Sequence, residues 1–470
     1  MNVQLWLSKF FNVKYLIPKE YQEEELPTTK EIYQKTIHVA WPSTMEAILI
    51  SLISMVDMMM VGGLGTEAVA AVGITTQPKF MIMLFVLALN TATTVIVARR
   101  KGANDQASAN LALKNALILS VSLSFVSVFM GYIYAKEILV FSGASLDYLD
   151  LALTYYKVIL IGTFFYLISL TISAAQRGTG NTKISMTINL SANIVNVIFN
   201  YLLINGIWIF PRWGILGAAV ATAMGNFVAL LLALRSLFEK NGFLNIIKFP
   251  VWKLDWATVD SLYTIASSSF LEQVFVRIGF IMYSKAVAGL GTLQFATHYI
   301  VMQMMHLSFS VGEGLSIATS SLVGQSLGAK RKDLAIVYGK AAQRLGLVLA
   351  ILTSIMITLT RTHFMQLFSQ DLMIIKLGSN ILIILSIIVF FQILQVITLG
   401  SLRGAGDVKF AAKLSLVSVT ILRPSLTYIM AYTFGLGIYG AWLSVVIDQL
   451  IRYFFSRYRF HQASWLGIEI

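Results

Sequence analysis

Apolar residues along the chain come in runs of about 20 or more, each long enough to cross roughly 30 Å of hydrocarbon as a helix, separated by short polar connections. Twelve such runs follow residue 36, at 37–61, 69–98, 108–135, 149–175, 184–206, 214–238, 258–287, 294–326, 334–360, 372–401, 410–434 and 437–456. The second, eighth and tenth exceed a straight crossing, which implies tilt or a bend. The first 36 residues hold no continuous apolar core of signal-peptide type; Lys9, Lys14, Lys19, Lys30 and Lys35 accompany the acidic run Glu23 to Glu25. Leu5 to Ile17 is amphipathic and aromatic, and reads either as a helix on the membrane surface or as a partly ordered tail.

Charge alternates with the connections. Lys136, Arg212 and Arg361 are the only basic residues of the odd-numbered loops, whereas the even loops and both tails hold 22, among them Arg99, Arg100, Lys101, Arg177, Lys183, Lys330, Arg331, Lys332, Arg403 and Lys409. That asymmetry places both termini in the cytoplasm of a cell carrying this protein in its membrane. Composition agrees: 57% of residues are hydrophobic, 12% are charged and the mean hydropathy is +0.76, which excludes a soluble enzyme or a secreted domain. The net charge of +13 would suggest nucleic acid in a soluble chain. Here it belongs to loops beside lipid headgroups, so the bilayer is the expected partner and nucleic acid is not.

Other chemistry is sparse. There is no cysteine, and no two of the five histidines stand at metal-ligand spacing. The glycine-rich loops lack the Gly-Lys-Ser/Thr ending of a nucleotide-binding loop. An enzyme, a resident metal, an ATP-driven pump and an organic cofactor are therefore not expected.

The most specific signal is internal. At an offset of 226 residues, Gly63-Leu64-Gly65-Thr66 recurs as Gly289-Leu290-Gly291-Thr292, Glu46 falls on Glu272, Gln77 on Gln303, and Arg177-Gly178-x-Gly180-x-x-Lys183 on Arg403-Gly404-x-Gly406-x-x-Lys409. Near Gly217-Ala218 and Gly440-Ala441 the offset drops to 223. Six spans per copy, an even number, leave both copies in the same orientation. The expected architecture is an all-α polytopic membrane protein of twelve transmembrane helices in two parallel six-helix repeats. Its parts are a cytoplasmic tail 1–36, an N-lobe 37–238, a linker 239–257, a C-lobe 258–456 and a cytoplasmic tail 457–470. Parallel repeats suit alternating access around a midplane site.

Polar residues inside the spans are few. Asp57 lies in the last third of span one, where a bare carboxylate is costly, so it must be protonated, paired or bound to a cation. Asn196 and Asn200, four apart in span five, share a face. With Asp57 and Thr222 they make an oxygen-rich set able to serve a proton relay or a Na⁺ ion, the latter at Asp57, Asn196 and Asn200. A hydrogen-bonded Asp at a helix end, and asparagines that only join helices, are the plainer alternatives. Glu46 is eleven residues before Asp57, about three turns, and with Glu272, Gln303 and Gln392 it is a candidate lining of a cavity for organic cations. Glu272 has Arg277 five residues on as a candidate partner, and Asp448 and Lys285 read as side chains reaching for an interface.

Pro42 followed by Val56-Asp57-x-x-x-Val61-Gly62-Gly63-Leu64-Gly65, the Asn196-x-x-x-Asn200-Tyr201 pair, Gly217-Ala218-Ala219-x-Ala221-Thr222 and the two Arg-Gly-x-Gly-x-x-Lys loops together resemble the multidrug and toxic compound extrusion (MATE) family. The resemblance implies twelve helices in two lobes and export of amphipathic, often cationic compounds against inward H⁺ or Na⁺, with Asp57 at the position of a coupling aspartate. Archaeal-type members have an aspartate where Asn200 stands. Val276 and Gln392 occupy the places of acidic residues in sodium-coupled members, which favours coupling through the N-lobe. A monomer is expected. A lipid-linked oligosaccharide flippase of the related superfamily and a passive channel remain the alternatives.

Overall fold

The computed structural model describes residues 10–17, 21, 25–249 and 252–469, apart from the side chains of Met55 and Thr66. Among them are twelve long helices: α1 (Thr29–Gly62), α2 (Thr66–Gly102), α3 (Gln106–Ile133), α4 (Leu149–Gly178), α5 (Thr182–Asn205), α6 (Ile215–Ser236), α7 (Trp256–Ala288), α8 (Thr292–Gly328), α9 (Lys332–Phe368), α10 (Leu372–Gly404), α11 (Val408–Thr433) and α12 (Gly437–His461). Ten are long and apolar enough to span a membrane. The other two, α8 and α12, fall short on composition, since α8 carries His298, His306 and Glu313 and α12 carries Asp448, Arg452 and Arg457.

The twelve spans and the helices coincide, with differences at the ends. Helix α1 begins at Thr29, inside the expected tail, because Thr28 and Glu31 form a capping box: Thr28 Oγ1 accepts from Glu31 N at 3.3 Å and Glu31 Oε2 from Thr28 N at 2.9 Å. Arg361 and Arg403, expected in loops, lie within α9 and α10.

The repeat is visible in the backbone. Helices α2 and α8 start at Thr66 and Thr292, and α4 and α10 end at Gly178 and Gly404. The left-handed turns recur in register: Gly65 and Gly291 at φ 108° and 115°, Gly180 and Gly406 at 85° and 87°, Asn104 and Lys330 at 55° and 60°. Side-chain-bearing residues rarely adopt the angles of Gly65 and Gly291, which is why both copies keep Gly-Leu-Gly-Thr there.

The chain forms two units, Ile48–Phe270 and Met1–Ala47 with Leu271–Ile470, called here the first and second unit. Their division differs from the expected lobes. Helices α1 and α7 each give one half to either unit, at near-equivalent places in the repeat, after Ala47 and after Phe270.

In the first unit, residues 242–249 and 252–255 of the expected linker 239–257 are bonded to one face of α3. Gln106 Nε2 donates to Phe243 O (2.8 Å), Asn110 Nδ2 to Phe243 O (3.1 Å), Lys114 Nζ to Phe249 O and Asn115 Nδ2 to Lys253 O (3.4 Å). Asn110 and Asn115 accept in return from Asn245 N (2.8 Å) and Asp255 N (3.0 Å). Asp255 then caps α7, accepting from Thr258 N at 2.9 Å.

In the second unit the segment before α1 is moored in a comparable way. Val13, Leu16 and Ile17 are buried in a core with Ile32, Val39 and Tyr338. Val13 N donates to Thr29 Oγ1 at 3.2 Å, and the Arg344 guanidinium of α9 lies 4.4 Å from the Phe10 ring centre. Residues Leu5 to Lys9 of the expected surface helix lie outside the described residues. Val13, Leu16 and Ile17 are thus spent on protein packing, while Tyr15 is exposed.

Candidate functional site

Small residues let α5 and α6 approach. Gly217, Ala221 and Gly225 form a stripe on α6, and a Cβ added at Gly225 would stand 2.6 Å from Ala192 O and 3.1 Å from Asn196 Cβ. That close approach brings Thr222 beside Asn196. The end of α1 packs on the same unit, where Val61 joins a core with Tyr155, Ile204 and Ala218.

Asp57 is held between these helices. Asn200 Nδ2 donates to Asp57 Oδ1 at 2.8 Å. In the amide orientation that satisfies both its atoms, Asn196 donates to Asp57 Oδ1 at 2.9 Å and Oδ2 at 3.0 Å, while its oxygen accepts from Thr222 Oγ1 at 3.0 Å. Thus the four residues expected to cooperate, Asp57, Asn196, Asn200 and Thr222, form one connected group. Both asparagines are buried, at 5% and 2% exposure, and Asp57 is partly so. In this orientation the amides turn their nitrogens to the carboxylate, so its oxygens face donors.

Two residues within electrostatic range of this group escaped the sequence reading. Lys79 of α2 is the cation whose charge acts on Asp57, and Tyr155 of α4 is a buried phenol within range of the same carboxylate. A lone lysine following Pro78 inside an apolar span was the available signal for the first; the second, one of 19 tyrosines, gave none.

The expected cavity residues are more scattered. Glu46 is buried, but in the half of α1 that belongs to the second unit, so Glu46 and Asp57 share a helix and not a unit. Gln303 is partly buried on α8. Gln392 is 5% exposed, with its Oε1 lacking a hydrogen-bond partner. Glu272 pairs with Arg403 instead of Arg277: Arg403 Nη2 donates to Glu272 Oε1 at 2.5 Å. Helix α10 continues to Gly404 and carries the arginine inward. Asp448 does not reach for an interface; it is fully buried and paired with Arg423, whose Nε donates to Asp448 Oδ2 at 3.0 Å.

Helix α11, which presents Arg423, is locally widened. Residues Leu416–Leu422 and Ile429–Thr433 are π-helical, flanking Pro424, which lacks the N–H that a regular turn requires.

The MatE family model matches residues 42–202 and 268–429, one stretch in each repeat. Among curated proteins the chain is 25% identical over 441 residues to the probable multidrug resistance protein NorM of Thermotoga maritima, covering 94% of each chain. It is 25% identical over 398 residues to the multidrug resistance protein MdtK of Pectobacterium atrosepticum, covering 83% of this chain and 87% of that one. Among solved structures it shares the fold of the MATE transporter VcmN of Vibrio cholerae, with a TM-score of 0.86 at 16% identity over 92% of this chain and 97% of that one. With the fold matched along almost its whole length and the family model in both halves, the chain belongs to the multidrug and toxic compound extrusion (MATE) family of membrane transporters.

Proposed function

We propose that this protein is a secondary antiporter of the cell membrane, with both termini cytoplasmic, that exports amphipathic, drug-like compounds by alternating access in exchange for a cation taken up at Asp57. The observation that carries the reading is the bonded group Asp57, Asn196, Asn200 and Thr222 inside membrane-spanning helices. A carboxylate there is stable while donors hold it, and it must be neutralised when those contacts are exchanged for apolar surroundings. Binding a proton or releasing it to the opposite side is then tied to the change of shape.

The exchanged ion is H⁺ in preference to Na⁺. A sodium ion needs several oxygens around it, whereas Asp57 faces the amide nitrogens of Asn196 and Asn200. Names of relatives supply the substrate class: two of them are multidrug resistance proteins. Efflux of a lipophilic cationic dye from energised cells tests the reading. Asp57→Asn is expected to abolish efflux without loss of folded protein in the membrane. Efflux that survives collapse of both the proton and the sodium gradient would instead indicate a passive channel.

A further inference from the structure

We propose that the second unit binds an anionic, hydrogen-bearing oxyanion group, of the phosphate monoester type, at the guanidinium groups of Arg423 and Arg452. The inference rests on the transport reading above and extends it to the chemistry of a ligand.

Five charged side chains gather on four membrane helices of this unit: Glu272 on α7, Arg403 on α10, Arg423 on α11, and Asp448 and Arg452 one turn apart on α12. Two ion pairs account for four of them, Arg403 with Glu272 and Arg423 with Asp448. Arg452 stands within range of both pairs. Three guanidiniums against two paired carboxylates leave Arg452, which is only partly exposed, outside both ion pairs. The other acid within range, Glu313, acts on Arg403 and is exposed. A leftover charge in a membrane interior is costly unless an anion answers it.

The spare hydrogen-bonding atoms say what kind of anion fits. Arg423 is 1% exposed, yet its Nη1 has no acceptor, and the buried Nε of Arg452 has none either. The Arg423 guanidinium is fixed against the rings of Phe280 and Tyr283, at 5.0 and 6.0 Å. A planar guanidinium matches the geometry of a carboxylate or a phosphate. Buried acceptors are also left over, Asp448 Oδ1 and Gln449 Oε1. A bare carboxylate offers them nothing. A monoprotonated phosphate carries one negative charge for the arginines and an O–H for an acceptor, so it answers both.

The test uses the purified full chain in phosphatidylcholine nanodiscs, titrated with hexyl phosphate, with hexyltrimethylammonium as the charge-reversed control, and the thermal midpoint as readout. Hexyl phosphate is expected to raise the midpoint, and Arg452→Gln to weaken its apparent affinity tenfold or more, with Arg452→Lys intermediate and the cation's response unaffected. No response in the native chain, or an unchanged affinity in Arg452→Gln, overturns the proposal. Should Arg452→Gln fail to fold, the comparison passes to Arg452→Lys, in which equal affinity likewise overturns it. Phosphatidic acid in the nanodisc, whose head group is itself a phosphate monoester, separates two sources of the same chemistry. Loss of the hexyl phosphate response then assigns the site to a lipid head group, and a retained response assigns it to a non-lipid compound. Asp57→Asn distinguishes this proposal from the coupling reading: hexyl phosphate binding is kept whether or not that variant transports.

Discussion

Asn200 Nδ2 donates to Asp57 Oδ1 at 2.8 Å, joining α5 to the far end of α1 across 143 residues of sequence. Asn196, one turn earlier, donates to the same carboxylate and hands its oxygen to Thr222. An acid on one helix is thereby read by amides on a second and a hydroxyl on a third. Replacing Asn196 by Leu removes a donor and leaves the group incomplete, at a cost of about 1–3 kcal/mol for the stranded partner. Efflux is expected to fall at least tenfold in Asn196→Leu, measured as dye export per molecule of transporter, while Asn196→Gln retains more of it.

Lys79 places a positive charge near this carboxylate. Loss of that charge leaves the carboxylate without its nearby cation. Lys79→Gln is expected to lower dye efflux at least tenfold per molecule of transporter, and Lys79→Arg should stay close to the native rate.

Glu272 is buried and pairs with the partly exposed Arg403. Removing one partner strands the other, which typically costs about 3–5 kcal/mol, while neutralising both does not. Glu272→Gln and Arg403→Gln are each expected to lower the thermal midpoint in detergent more than the double variant does. Additive losses in the double variant would show that the two do not interact.

The ladder from α3 to segment 242–255 calls for a protease experiment. Asn110 and Asn115 each bond backbone groups of that segment in two places. At about 1 kcal/mol per net bond, Asn110→Leu with Asn115→Leu is expected to raise the population of the released segment well over tenfold. Trypsin cleavage at Lys248 and Lys253 in vesicles with that face accessible reports the change.

The side-chain caps of α3, at Asp105, and of α7, at Asp255, set an acid limit. Hydrogen bonds from the Ser108 backbone hold the Asp105 carboxyl below its usual range, and those from the Thr258 hydroxyl and backbone do the same for Asp255. A group depressed in the folded state contributes stability above its ordinary value, near 4, and loses it as pH falls further. Hydrogen exchange at the Ser108 and Thr258 amides, corrected for intrinsic rate, is therefore expected to be steady from pH 5 to 8 and to accelerate only below about 4. Any pH dependence of transport within 5 to 8 belongs to other groups.

How far these features were legible in the sequence depended on whether the signal was periodic. Runs of apolar residues gave twelve spans, and the offset of 226 gave the repeat down to the paired turns at Gly65 and Gly291. The group at Asp57 was legible because a carboxylate, two amides four apart and a threonine are rare inside spans. Lys79 and Tyr155 were missed because nothing in one sequence says which lone polar residue faces which. The partner of Glu272 was missed for a different reason: Arg403 was counted with a loop motif, although its helix runs one turn longer. The mooring of 242–255 rests on Gln106, Asn110, Lys114 and Asn115, which on a helix read as ordinary polar residues until the main-chain groups opposite them are known.

The central claim is that Asp57 exchanges a proton when substrate binds. It is tested most directly by adding a transported compound to purified protein in weakly buffered solution and recording proton release with a pH indicator. About one proton per transporter is expected from the native chain and none from Asp57→Asn, with sodium absent throughout. Equal release from both, or release that requires sodium, would contradict the account.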